Sequence, residues 1–226
     1  MQTLALVGGD VEELHNLRGC VLRVGRVGFS NNTKALDTSG HGNDGIVSGA
    51  PYSATDGGAY SFDRSNYIVS SNNVDFDAIS AVGMWFNSSD ANDWSGLIDH
   101  YKTNTDRWYL GAMVGENFPS VYTGAGSLSL AANNDYRNDG VWHYVVLSWN
   151  GSITQLYIDG CVQTQTSATN PFDGGDGGDI HIGAYWWDNI LGNGINCAID
   201  DVRVYNRTLS AAEIHKLYWQ GKDKHR

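Results

Sequence analysis

Two stretches of this sequence carry enough oxygen to hold a cation. The first is Asp37-Thr38-Ser39-Gly40-His41-Gly42-Asn43-Asp44-Gly45, a turn of glycines and oxygen-bearing side chains. Glycine permits the positive φ values that let a backbone fold tightly around something. Carboxylates, amide oxygens and freed carbonyls are the hard ligands that Ca2+ prefers. A self-capped surface turn would use the same residues without any ion. The second stretch is Cys197-Ala198-Ile199-Asp200-Asp201-Val202-Arg203-Val204-Tyr205. Strict alternation puts Asp200, Val202 and Val204 on one face, and Ile199, Asp201, Arg203 and Tyr205 on the other. The valine face reads as core. Asp200 is therefore expected to point inward, where an unpaired carboxylate is costly. A metal would satisfy it, and so would a hydrogen-bond network.

A different chemistry resides in the aromatics. Trp186-Trp187, with Tyr185 before them, follows the strand-like Ile182-Gly183-Ala184. Trp94 lies among Asn, Asp and Ser, and Trp108-Tyr109 opens a strand. Trp85 and Trp142 read by position as core. Adjacent Trp186 and Trp187 cannot both face inward from an extended strand. Flat aromatic faces stack on the apolar faces of sugar rings, and nearby Asp and Asn exchange hydrogen bonds with hydroxyls. Trp94, Tyr185, Trp186 and Trp187 are thus the candidate carbohydrate contacts. Packing beneath a long loop is the alternative use of such residues.

Composition limits the partners. The chain has 226 residues and a net charge of −11, with no basic stripe interleaved with aromatics, so nucleic acid is not an expected partner. No apolar run approaches the roughly 20 residues of a membrane helix, so a membrane is not expected either. Met1–Gly8 lacks the basic start and the apolar length of a signal peptide. Cys20, Cys161 and Cys197 cannot all pair with one another and read as small buried hydrophobes. Cys20 and Cys197 would meet if the first and last strands were neighbours.

The elements that position these residues are mostly short strands. Val141–Trp149, Ile153–Ile158 and Cys161–Thr166 form a meander joined by Asn150-Gly151 and Asp159-Gly160, strong hairpin signals. Positive φ is expected at both Asn150 and Gly151. Further strands are expected at 20–25, 45–48, 59–62, 66–70, 78–86, 95–101, 107–114, 118–123, 126–131, 179–185 and 197–205. One helix is expected over 211–219, with Ser210 and Glu213 forming a capping box. Many short strands without intervening helices indicate an all-β sandwich or jelly roll. The organisation reads as an N-terminal extension (1–18), one domain (19–219) and a basic C-terminal tail (220–226).

The ordered set of segments resembles the laminin G-like branch of the concanavalin A-like lectin/glucanase superfamily. The segments are 37–45, Tyr60-Ser61-Phe62-Asp63, Ala81-Val82-Gly83-Met84-Trp85-Phe86, Val141-Trp142-His143-Tyr144, Leu156-Tyr157-Ile158-Asp159-Gly160, Ile182-Gly183-Ala184 and 199–210. The resemblance implies a two-sheet antiparallel jelly roll. It also implies one structural Ca2+ held by Asp37, Asn43 and Asp200, with a Gly42 carbonyl. The chain departs from the family at 22–34, where Leu22-Arg23-Val24 replaces an aromatic, acidic strand. Hydrolases of the superfamily use a Glu-x-Asp-x-x-Glu strand, and the only glutamates here are 12, 13, 116 and 213. His100, Tyr101 and Arg107 lie close in sequence, yet the paired-Arg and Gln-Ile-His strands of the lyases are missing. The expected function is a non-catalytic, calcium-stabilised module that binds a polysaccharide or glycan, outside a cell, on its surface or on a virion. The alternatives are a structural or adhesion subunit of a virion or surface appendage, forming a homo-oligomer with its termini as tethers, and a polysaccharide lyase or glycoside hydrolase.

Overall fold

The computed structural model describes residues 19–24, 32–53, 58–70, 78–90, 92–124, 129–173, 177–188, 190–192 and 194–226. The expected N-terminal extension, 1–18, lies outside them. Alternation of apolar and polar residues gives a chain of strands. They are β1 (Cys20–Val24), β2 (Lys34–Ala35), β3 (Gly45–Ser48), β4 (Tyr52–Ser53), β5 (Ala59–Asp63) and β6 (Tyr67–Ser70). Then follow β7 (Ala81–Ser88), β8 (Ser95–Tyr101), β9 (Arg107–Ala112), β10 (Ser120–Thr123), β11 (Ser129–Ala131) and β12 (His143–Trp149). Next are β13 (Thr154–Ile158), β14 (Cys161–Ser167), β15 (Asp179–Ile182), β16 (Trp186–Trp187), β17 (Ile190–Leu191) and β18 (Asn196–Tyr205). Among the described residues one helix, α1 (Ala211–Lys222), follows the strands.

The strands form a two-sheet antiparallel jelly roll. The first sheet runs β14-β13-β12-β7-β18-β5-β4, with β1 also on β18, and the second runs β11-β10-β9-β8-β15-β6-β3-β2. Between the sheets lies one apolar core. Met84, Phe86, Val145, Leu147, Ile199 and Val204 from the first sheet meet Ile98, Trp108, Leu110, Val121, Ile180 and Ile182 from the second.

Each sheet also has a covered outer face. On the first, Trp85, Tyr144, Tyr157 and Tyr205 pack under Ile214 and Leu217 of α1. Ser210 caps α1 as expected: its side chain accepts from the Glu213 N–H, while the Glu213 carboxylate accepts from the Ser210 N–H. The helix runs past the expected residue 219 to Lys222. Beyond it His225 is buried, stacked on Trp85 at 4.4 Å and 8°. His225 is thus docked on the sheet, while Asp223, Lys224 and Arg226 around it are exposed.

Three local expectations are corrected. The Asn150-Gly151 turn has positive φ only at Gly151. Trp149 pairs with Thr154, and the Asn150 side chain accepts from the Ser152 and Ile153 N–H groups at 3.0 and 2.9 Å. That Asx cap gives a longer loop than the two-residue turn. The two-residue form occurs instead at Asp159-Gly160, with φ of 52° and 78° between paired Ile158 and Cys161. Cys20 and Cys197 do not meet although β1 adjoins β18. Cys20 pairs with Tyr205 at one end of β18 and lies in the outer cluster, whereas Cys197 pairs with Phe62 at the other end and lies in the inner core.

The third correction concerns Asp200. Pairing of β18 with β7 shifts register between Asp200 and Arg203, and Asp201 has φ 48°. This bulge inserts a residue and breaks alternation. Ile199, Val202 and Val204 all face the core, while Asp200 pairs with Trp85 and shares its outer face.

Candidate functional site

The outer face of the second sheet carries an unusual set of side chains. Cross-strand partners share a face. Tyr101 partners Arg107, Asp99 partners Tyr109, Tyr122 partners Tyr109, and His181 partners Asp99. His100 partners Trp108, which lies in the inner core, so alternation separates His100 from Arg107.

The segment after β15 folds down onto this face. Glycine at 96 makes room for it: a Cβ there would meet the Ala184 carbonyl oxygen at 2.6 Å. Tyr185 stacks on Tyr109 at 5.2 Å and 18°. The Trp186 N–H donates to Asp99 Oδ2 at 2.8 Å, and its ring meets Tyr67 edge-on at 5.7 Å. Trp186 and Trp187 form the short strand β16, paired with β17, rather than an irregular loop. The Asp188 N–H donates to Asn104 Oδ1 at 3.0 Å and ties down the turn that follows.

These elements enclose a cleft of about 420 Å3 lined by Trp94, Arg107, Tyr122, Tyr185 and Trp187. Trp94 and Trp187 remain 40% and 46% exposed. Trp94 sits at φ 62°, a conformation that a bulky residue seldom adopts. Arg107 is only 3% exposed. Its guanidinium carbon lies 5.0 Å from the Trp187 ring centre, 5.2 Å from Tyr109, 5.4 Å from Tyr122 and 5.6 Å from Tyr185. Cation–π contacts of about 0.5–2 kcal/mol each hold it there. Its Nη1 donates to the Trp186 carbonyl at 2.5 Å, and Nε has no partner. Burial raises the Asp99 carboxyl above its usual range, against His181, the Trp186 N–H and the Arg107 charge, all of which lower it. Burial likewise pushes the Tyr109 phenol well up.

Of the residues expected to contact sugar, Trp94, Tyr185 and Trp187 converge on this cleft. Trp186 does not line it; its ring is turned onto Tyr67 and His181. Arg107 and Tyr122 complete the lining. Spacing alone could put Arg107 and Tyr109 on the outward face of their strand, alternating with core-facing Trp108 and Leu110, but could not show which rings surround Arg107.

The candidate calcium ligands have other partners. Asp37 Oδ1 accepts from the Arg23 and Ser39 N–H groups at 2.9 and 2.8 Å. Its Oδ2 accepts from Ser39 Oγ and the Asn43 N–H at 2.8 and 2.9 Å. Gly42 adopts φ 76° within the turn, which closes on Asp37. Asn43 Nδ2 donates to the Val21 carbonyl at 2.5 Å. Asp200 Oδ2 lies 2.8 Å from His225 Nε2, and burial raises its carboxyl to about 6. Asp201 accepts from Arg23 Nε and Arg203 Nε, each at 3.0 Å. Asn43 Oδ1 and Asp200 Oδ1 are buried without a partner. Even so, these residues as arranged do not fit a Ca2+ shared by Asp37 and Asp200. Both Asp37 oxygens are taken, Oδ1 by the Arg23 and Ser39 N–H groups and Oδ2 by Ser39 Oγ and the Asn43 N–H, so Asp37 would have to give up some of these, although Asp200 could ligate through Oδ1 and keep His225. Among the described residues, no group of three or more His, Cys, Asp or Glu side chains is arranged to hold a metal ion.

Residues 62–215 match the laminin G-like family of the concanavalin A-like lectin/glucanases superfamily, and the chain belongs to it. No curated protein sequence matches the chain. Its fold is similar to the binding domain of botulinum neurotoxin serotype D/C, at TM-score 0.69 and 18% identity. That match covers 91% of this chain and 53% of the toxin domain, so the chain spans about half the length of that relative. It is also similar to domain 4 of AbnA, an extracellular arabinanase from Geobacillus stearothermophilus, solved with arabinotriose. There the TM-score is 0.70 and the identity 15%, over 88% of this chain and 98% of that domain. At such identities the likeness is one of fold.

Proposed function

We propose that this domain is a carbohydrate-binding module whose ligand lies in the cleft of Trp94, Arg107, Tyr122, Tyr185 and Trp187. The observation that carries the reading is the cleft itself. It is concave, aromatic-walled and floored by one cation, with large parts of two tryptophan rings left open. Sugar rings have apolar faces that stack on indoles, and edges whose hydroxyls accept from a guanidinium. The relatives support it, since the AbnA domain was solved with an arabinose trimer and a further neurotoxin type C match is described as interacting with two gangliosides. Among the described residues no helix is long and apolar enough to cross a membrane. An extracellular setting accords with the toxin and arabinanase relatives and belongs to the same proposal.

The test is a glycan array followed by affinity electrophoresis of the wild type, Trp94→Ala and Trp187→Ala on the best polysaccharide. Retention of the wild type and its loss in both variants, with unchanged circular dichroism, is the expected outcome. A stable oligomer that buries both tryptophans would overturn the reading in favour of a structural subunit.

A further inference from the structure

We propose that the cleft selects acidic saccharides, with Arg107 receiving a sugar carboxylate. This rests on the carbohydrate reading above and specifies its ligand class.

Arg107 is the observation that demands an anion. A guanidinium has five N–H donors. Arg107 spends one hydrogen bond on the Trp186 carbonyl, and its Nε is buried with no partner. The side chain is 3% exposed, yet it makes no ion pair among the described residues. Buried arginines are normally matched by a carboxylate or phosphate, because an unpaired buried charge is expensive. Asp99, on the same face, favours the Arg107 charge from a distance, but its hydrogen bond is to the Trp186 N–H and not to the guanidinium. The surrounding rings hold the guanidinium in place, and none of their hydroxyls accepts a hydrogen bond from it.

The geometry suits a sugar acid. Among the described residues, Arg107 is the one charged side chain lining the cleft, and the other lining residues are aromatic. The carboxylate of a pyranose acid projects from the edge of the ring. The ring face can therefore stack on Trp94 or Trp187 while the carboxylate meets the fork of Arg107 bidentately. A long polyanion would be opposed by the net charge of −11. The fit is to a single acidic residue within, or at the end of, an otherwise neutral glycan.

The experiment is titration calorimetry of the wild type with a uronate-terminated and a sialate-terminated oligosaccharide, each beside its own methyl ester. The ester keeps the ring and removes the charge. At least one free acid should bind more tightly than its ester by about tenfold or more. The preferred acid identifies the source. Arg107→Lys keeps the charge without the fork and should lose most of that preference, and Arg107→Gln should abolish it. If Arg107→Gln does not fold, the acid-to-ester ratio of the wild type still decides the matter. Equal affinity for acid and ester would overturn this inference and leave the carbohydrate reading intact. Failure to bind these compounds or any neutral glycan would overturn both.

Discussion

Replacing Trp187 by alanine removes one wall of the cleft and little of the core. The side chain is 46% exposed, so roughly half of it is open to a ligand. An aromatic side chain buries 150–250 Å2 in full, so a sugar ring on one face would cover about 50 Å2 of indole and lose a similar area of its own. At about 25 cal/mol per Å2, the combined area of about 100 Å2 is worth about 2.5 kcal/mol, or roughly 60-fold in Kd. Ordering the ligand offsets part of this, so the expected weakening is about 10- to 60-fold. Stability should change less. The buried half of the ring shields Arg107, which keeps Tyr109, Tyr122 and Tyr185 around it. A loss of about 1 kcal/mol would lower Tm by about 2–4 °C in a domain of this size. The assay is calorimetric titration of the best array glycan, with Trp219→Ala as control. Trp219 is 53% exposed on α1, which packs on the other sheet, and Lys222 Nζ lies 4.3 Å from its ring. Undiminished affinity in Trp187→Ala would refute the assignment. Equal weakening in Trp219→Ala would show that any exposed indole serves and that the cleft has no special part.

The melting temperature should not respond to 1 mM EDTA or added Ca2+, because both Asp37 oxygens already accept hydrogen bonds from the turn; a rise of several degrees with Ca2+ would restore the shared ion. His225→Ala strands the buried Asp200 carboxylate and uncovers Trp85. It should cost about 3 kcal/mol, or roughly 6–12 °C in Tm, and a thermal melt within two degrees of wild type would refute a stabilising role for the His225–Asp200 pair. His143 sits between Asp159 and Asp139 at 2.8 and 2.9 Å; burial lowers its pKa, but the two carboxylates outweigh burial and raise it. A histidine with a raised folded pKa contributes stability that is full below the unfolded value of 6.5 and is lost as pH rises through the folded value. Wild-type Tm should therefore fall from pH 6 to 8 relative to His143→Gln, and parallel curves would refute this.

What the sequence disclosed and what it hid have separate physical causes. The strand pattern was legible because burial on one face repeats every second residue, and that rule needs no knowledge of partners. It placed β7, β8, β12, β13 and β18 close to where they lie. The same rule failed at Asp200. One residue in the left-handed region, Asp201 at φ 48°, inserts a bulge and sends Asp200 to the opposite face. Asp is among the few non-glycine residues that tolerate that conformation, so nothing in the alternation marks it. The departure at Arg23 was visible, but its consequence needed the register. Arg23 partners Arg203 across β1 and β18, and the two guanidinium groups close on Asp201, placing fixed positive charge beside the acidic pair. Beside it, Asp200 takes His225 from beyond the helix. The binding residues divide the same way. Trp94, Tyr185 and Trp187 could be named because exposed-looking aromatics stand out in polar loops. Arg107 could not, because within a strand its role depends on which rings the folded sheet gathers around it. The charge that would set ligand choice therefore lies in the sheet, while three of the four rings that would supply affinity, Trp94, Tyr185 and Trp187, stand outside it.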